Sequence, residues 1–388
     1  MKKIELVQDT INTDDIDLLI KWLSTYPRLT KGPKTLEFEK LWSEWIGTKY
    51  SVFVNSGSSA NLLMIYALKY ANLLKNNKIC IPSLCWATDL APVLQLDLDP
   101  LLIDCNLENL SVDIEHLEEL FIKESPAALM LVSVLGLSPD FDSIIKLCDK
   151  YDVLLLEDNC ESQGSMYNGK RLGNFGLMSS FSTYFGHTMS TIEGGMICTN
   201  DEKLYKLLIQ LRSHGWDRDL DKNEQNILRD KWGGSSFDSL YTFYVPGFNL
   251  RSTDLQAFIG INQLNKIDES IAKRNENFYK YKELLYPDMW FPREVDNSFT
   301  ANFAIPIIVD DPLKREYLYK ELADNNIACR PLISGSMGTQ PFYIERYGKL
   351  ILPNCSIIDS RGLYVPNHPM LTDDDINRIC NIILKYKK

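Results

Sequence analysis

Apolar residues recur at helical spacing over residues 14–25, behind an acidic start, and again from Thr35 to Ile46, where Gly47 ends the run. A β-type run, Tyr50 to Asn55, then meets the small residues Ser56-Gly57-Ser58-Ser59 and a helical pattern from Ala60 to Leu74. Wholly apolar runs follow at Ile79–Ile81, Leu101–Ile103, Ala127–Leu135 and Val153–Leu156, with helical stretches between several of them, Asp140–Lys150 included. Continuous apolar strands alternating with helices predict a mostly parallel sheet covered on both faces by helices. The rhythm changes near Gly247. A helix is expected over Thr253–Ile267, then a Pro-punctuated stretch, a β-type run at Asn302–Val309 and a helix at Lys314–Asn325. Thr372 with Asp375 three residues on forms a capping box for a last amphipathic helix to Lys387. The pattern divides into a large α/β unit, residues 1–250, and a smaller α+β unit, residues 251–388. The run Gly233-Gly234-Ser235-Ser236 reads as a loop.

At 388 residues the chain exceeds one compact core, in keeping with that division. A net charge of −11 with scattered Lys and Arg argues against nucleic acid or an anionic membrane as partner. No apolar stretch is long enough to span a bilayer, and the start, Met1-Lys2-Lys3-Ile4-Glu5, has no signal-peptide character. Nine widely spaced cysteines suit reduced thiols in a cytoplasmic protein. No His, Cys and carboxylate set shows ligand spacing, so no metal is expected.

Three segments carry candidate chemistry. The turn from Asn55 to Asn61 lies between strand and helix, where free amides and the helix dipole attract a phosphate; the bland alternative is a turn that only starts a helix. Asp158 ends a buried strand, where ligands of open α/β sheets gather, and could pair with a pyridine nitrogen; capping of the next helix is the alternative. Trp86 follows another strand and could stack on a flat ring, although core packing is the usual fate of a single Trp. His187 sits in the polar, Gly-containing stretch from Ser182 to Gly195. His116 reads as a surface residue, while His214 and His368 lie in loop-like segments that could line a cleft.

Taken in order, these pieces resemble the fold-type I, pyridoxal-phosphate-dependent DegT/DnrJ/EryC1/StrS sugar aminotransferase family. The resemblance runs from Phe38-Glu39 through Gly247 to Asp254 and on to Asn367-His368-Pro369. It implies that Gly57, Ser58 and Ser182 hold the cofactor phosphate, joined by Asn249 of a neighbouring subunit in at least a homodimer. Trp86 would cover the ring, Asp158 would pair with its nitrogen and Glu161 would lie near its substituents. His214, Arg251 and Arg330 would line the substrate side. His187 stands where the family carries its Schiff-base lysine, and no lysine lies between Lys170 and Lys203. Imidazole moves protons near neutral pH but forms no stable Schiff base.

With histidine there, the chain is most similar to the sugar 3-dehydratase branch. That implies pyridoxamine phosphate held without a covalent bond, and removal of the C3 hydroxyl from a nucleotide-linked 4-keto-6-deoxy sugar, with GDP the expected nucleotide. His187 would act as base and then as acid toward the departing oxygen. L-Glutamate would restore the amine form. One member of the branch carries an iron–sulfur cluster on cysteines that include a Cys-x-Cys pair; this chain has no such pair, so no cluster is expected. Arg330 to Met337 departs from the family's usual Ala-Gly-Asn pattern and leaves the sugar open. Two other readings stay open: an aminotransferase using a lysine from elsewhere, and a catalytically silent sugar-nucleotide-binding protein.

Overall fold

The computed structural model describes residues 2–233, 235 and 237–387. Its centre is a seven-stranded sheet. The strands are β1 (Tyr50–Val54), β2 (Lys78–Pro82), β3 (Asp99–Ile103), β4 (Ala128–Val132), β5 (Leu154–Asp158), β8 (Met178–Ser182) and β9 (Gly195–Thr199), after the two-residue β6 (Met166–Tyr167) and β7 (Lys170–Arg171). Their order is β1-β9-β8-β5-β4-β2-β3, and β9 alone runs against its neighbours. The C-terminal ends of β1, β2, β4, β5 and β8 therefore share one edge. Every residue of β4 is buried, as a central strand with helices on both faces requires. Beyond β10 (Ser298–Phe299), β11 (Ala304–Ile308), β12 (Arg330–Pro331) and β13 (Gly362–Pro366) form a separate antiparallel sheet in the order β11-β13-β12.

Capping chemistry accounts for most boundaries. The first helix is Thr13–Leu23, closed by an Asn12/Asp15 capping box. The helix expected from Ala60 begins at Gly57, because Ser56 Oγ accepts the Ser59 amide at 3.1 Å and draws the small residues into the first turn. The run to Leu135 is strand only as far as Val132; it turns through Val134–Gly136, with Leu135 at φ 52°, and so presents the Leu135 amide to Glu161. The helix expected over Thr253–Ile267 is Asp254–Leu264, and the following stretch is not irregular but a 19-residue helix, Ile267–Leu285. Its charged surface masks a buried stripe of Ile267, Ile271, Arg274, Phe278 and Tyr281. Thr372 and Asp375 close the expected box on Asp373–Ile383. Of the Gly233–Ser236 loop, Gly234 and Ser236 lie outside the described residues.

A buried ion pair ties the helix Pro33–Ile46 to the sheet. Glu39 Oε1 accepts the Phe53 amide at 2.8 Å and the Arg212 guanidinium, whose Nη1 also donates to Phe53 O at 2.7 Å. Both side chains are almost fully enclosed. Replacing Arg212 alone strands an uncompensated carboxylate in the core. Arg212→Met is expected to lower the unfolding free energy by about 3–5 kcal/mol, and Glu39→Met added to it should recover part of that loss. Urea titration of the single and double variants measures both.

Candidate active site

A cavity of about 580 Å³ opens at the shared strand edge. Its floor is built from strand ends: Ser56, Gly57 and Ser58 after β1, Trp86, Thr88 and Asp89 after β2, Asp158 at the end of β5, and Ser182 at the end of β8. The amides of Gly57 and Ser58 precede the first helical hydrogen bonds of Gly57–Tyr70 and point their positive end at the space above. Gly57 is required by close approach, since a Cβ there would sit 2.8 Å from both Cys160 Sγ and Ser182 Cβ. Across β9, a Cβ on Gly195 would lie 2.3 Å from Ser56 O. These glycines shape a turn pressed tightly onto the sheet, a cradle that suits a phosphate.

Asp158 is buried, its Oδ1 accepting the Cys160 amide at 2.8 Å and its Oδ2 the Asn61 side-chain amide at 2.6 Å. It pairs with no cation among the described residues, as suits a carboxylate whose positive partner arrives with a ligand. Glu157, one residue earlier and on the other face, is saturated by Gly173, Phe175 and Gly176 amides and Asn159 Nδ2, and is structural. Trp86 is 61% exposed, so core packing is excluded, and its ring meets the cavity. Glu161 accepts the Leu135 amide at 2.8 Å; burial, and then the charge of Asp158, lift its carboxyl to about 7.

His187 lies in the same cavity, its ring 5.3 Å from that of Phe303. Nδ1 is buried without a partner, so proton exchange with the cavity falls to Nε2. Burial lowers the imidazole to about 4, opposed by Asp158, and so His187 is neutral at physiological pH. Among the described residues no lysine lines the cavity.

The structure thus brings Gly57, Ser58, Trp86, Asp158, Glu161, Ser182, His187 and Arg330 together. Asn249, His214 and Arg251 do not line the cavity of their own chain. They form a second cluster, with Arg251 Nε donating to Asn249 Oδ1 at 3.0 Å and Arg251 Nη2 3.3 Å from His214 Nε2. His368 is buried outside the cavity, and His116 is half-buried rather than superficial, its Nδ1 accepting the Asp104 amide at 3.0 Å. Sequence spacing also concealed one donor set, Asp104, Cys105 and Cys355, whose ligand atoms lie within 4.8 Å of one another. Asp104 already accepts the amides of Cys105, Asn354 and Cys355, which accounts for it as a clamp on the helix Pro353–Arg361. Asp89, Phe303 and Tyr364 escaped the sequence reading, and Asn61 entered it only as the end of the candidate phosphate turn, not as a partner of Asp158.

Comparison with known proteins agrees with this geometry. The pattern of the DegT/DnrJ/EryC1/StrS aminotransferase family matches residues 10–384. The chain is 35% identical over 364 residues to the GDP-4-keto-6-deoxy-D-mannose 3-dehydratase of Yersinia pseudotuberculosis, covering 92% of each chain. It is 34% identical over 364 residues to the enzyme of that name from Escherichia coli O55:H7, covering 91% of this chain and 92% of the other. A crystal structure of GDP-4-keto-6-deoxymannose-3-dehydratase with a trapped PLP–glutamate geminal diamine superposes with a TM-score of 0.90 at 31% identity, covering 98% and 100% of the two chains.

The pH dependence of stability tests the environment of His187. An unfolded histidine takes up its proton near 6.5, whereas the folded ring does so only near 4. The unfolded state therefore binds more protons between those values, and stability attributable to the neutral ring is present above 6.5 and lost as pH falls through the window. The stability difference between the protein and its His187→Asn variant should shift by roughly 2 kcal/mol, against the unmodified protein, from pH 7 to pH 4.5. Urea midpoints at the two pH values read it; a difference that does not move places the ring in water.

Proposed function

The chain belongs to the DegT/DnrJ/EryC1/StrS family, and from that premise we infer a PLP/PMP-dependent C3-dehydratase of a nucleotide-linked 4-keto-6-deoxy sugar, with GDP as the nucleotide. His187 in a cavity that no lysine lines among the described residues is the observation that carries this reading. A lysine-dependent aminotransferase lacks its essential group here.

The residues present fit the cofactor. Gly57, Ser58 and Ser182 supply the cradle for its phosphate, and Asn249 of a second copy joins them in a homodimer. Asp158, buried without a cation among the described residues, would pair with the ring nitrogen, Trp86 would cover a ring face and Glu161 would lie near the ring substituents. When bound, the cofactor supplies an amine for the sugar ketone and an electron-accepting ring. His187 takes a proton at Nε2 and returns it to the departing C3 oxygen, so one imidazole serves both directions of transfer. It forms no covalent bond. Arg330 on the cavity wall, with His214 and Arg251 from the partner, addresses the sugar nucleotide. L-Glutamate would be the amino donor. Residues 1–250 form the cofactor-binding unit and residues 251–388 the smaller C-terminal unit. No helix among the described residues is long and apolar enough to cross a membrane, and the nine unpaired cysteines suit a cytoplasmic enzyme.

Incubation with GDP-4-keto-6-deoxymannose, PLP and glutamate should give a 4-keto-3,6-dideoxy product, weighed by mass spectrometry. His187→Asn should lose about 10²–10⁴ of the dehydration rate while still binding cofactor. A 4-amino product, or a lysine labelled on borohydride reduction, would overturn the assignment.

A further inference from the structure

The cavity floor contains a second buried acid that pairing with a ring nitrogen does not explain. Asp89 is 1% exposed and Asp158 6%, and among the described residues neither forms an ion pair. One amide joins them: Asn61 Nδ2 donates to Asp89 Oδ1 at 3.0 Å and to Asp158 Oδ2 at 2.6 Å. Ser180 Oγ donates to Asn61 Oδ1 at 2.5 Å, which fixes the orientation of that amide toward both carboxyls. The remaining oxygens take backbone amides, Trp86 N on Asp89 Oδ2 at 3.0 Å and Cys160 N on Asp158 Oδ1 at 2.8 Å.

Among the described residues, the groups facing the pair bring no positive charge. Glu161 and the thiols of Cys85 and Cys160 surround it, and His187, on the Asp158 side, is neutral. Two carboxylates sharing a donor out of water do not both ionise. Burial, and next the charge of Asp158, push the Asp89 carboxyl well above the usual carboxylate range.

We propose that Asp89 is a positioning residue for Asp158: the two hold a single proton between them, clamped by Asn61, so that the cavity floor carries one negative charge rather than two. Asp89 also caps the helix Ala87–Gln95 through the Trp86 amide. It therefore links the aromatic ring assigned to the cofactor face with the carboxylate assigned to its nitrogen. Only this last link rests on the cofactor reading; the shared proton does not.

Infrared difference spectra of the cofactor-free protein at neutral pH test the pair directly. Asp89→Asn and Asp89→Ser both keep a capping oxygen but cannot ionise. Each should lose one protonated-carboxyl C=O band relative to the unmodified protein, leaving the Glu161 band in place. Loss of carboxylate absorption alone, with the acid bands unchanged, would overturn the proposal. Pyridoxamine phosphate affinity, followed by tryptophan fluorescence across pH, supplies a second readout. Because the pair keeps its proton, it adds no pH slope of its own, and the unmodified protein and both variants should share one slope around neutral pH. A slope steeper in the unmodified protein by up to about tenfold per pH unit would mean that the pair exchanges its proton on binding, and would overturn the proposal. Failure of the unmodified protein to bind the cofactor would instead count against the cofactor reading, with the infrared result standing on its own.

Discussion

A carboxylate at the end of β5, withdrawn from water and given no counter-charge, is the constraint around which the site is organised. Taking a charge out of water costs several kcal/mol unless hydrogen bonds or an opposite charge compensate. Asp158 receives two donors, from Cys160 and Asn61, and one of these is shared. Its neighbour Glu157 shows the alternative, with four donors closing around a purely structural acid. Strand alternation sends one to the loop Gly173–Gly176 and the other to the cavity. The difference in their satisfaction separates a group that holds the fold from one that awaits a ligand.

The loop bearing His187 is held as firmly as the floor. Thr183 and Thr191 close its base, their hydroxyls 2.5 Å apart and the Thr191 amide donating to Thr183 O at 2.8 Å. From the opposite side, Phe303 meets the imidazole, and Arg274 on the helix Ile267–Leu285 donates to Phe303 O at 2.8 Å. The segment leading into β11 and the helix Ile267–Leu285 thus brace the imidazole proposed to transfer protons. Such bracing matters more for an imidazole than for a lysine. A covalent bond would tether a lysine to its cofactor, whereas a base that stays unattached depends on packing for its aim.

The mostly parallel sheet and the acid at the end of β5 were legible because β4 is apolar throughout and β5 runs Leu154-Leu155-Leu156 before its two carboxylates. Ile267–Leu285 was not, since a helix that buries Arg274 and Asn277 hides its inner stripe behind charge. Asp89 was missed for a different reason. From sequence it is the acid of a capping box, and only the fold brings it to Asp158 through Asn61. The Asp104, Cys105 and Cys355 cluster shares that character, uniting residues some 250 positions apart in the chain. Local pattern reports periodicity and capping; long-range encounters between polar side chains leave no trace in it.

A net charge of −11 poses a problem for a protein whose proposed substrate is itself anionic. The solution must be local. Arg330 is the one arginine on the cavity wall among the described residues. Two more, Arg218 and Arg251, stack over Trp216 with their guanidinium carbons 4.0 and 5.3 Å from the ring centroid, and neither pairs with a carboxylate among the described residues. An arginine with no acid of its own chain beside it keeps its charge available to an anion. That cluster, with Asn249 and His214, stands apart from the cavity of its own chain, which is the reason the proposed function draws it from a second copy: only there could its charge reach an anionic substrate.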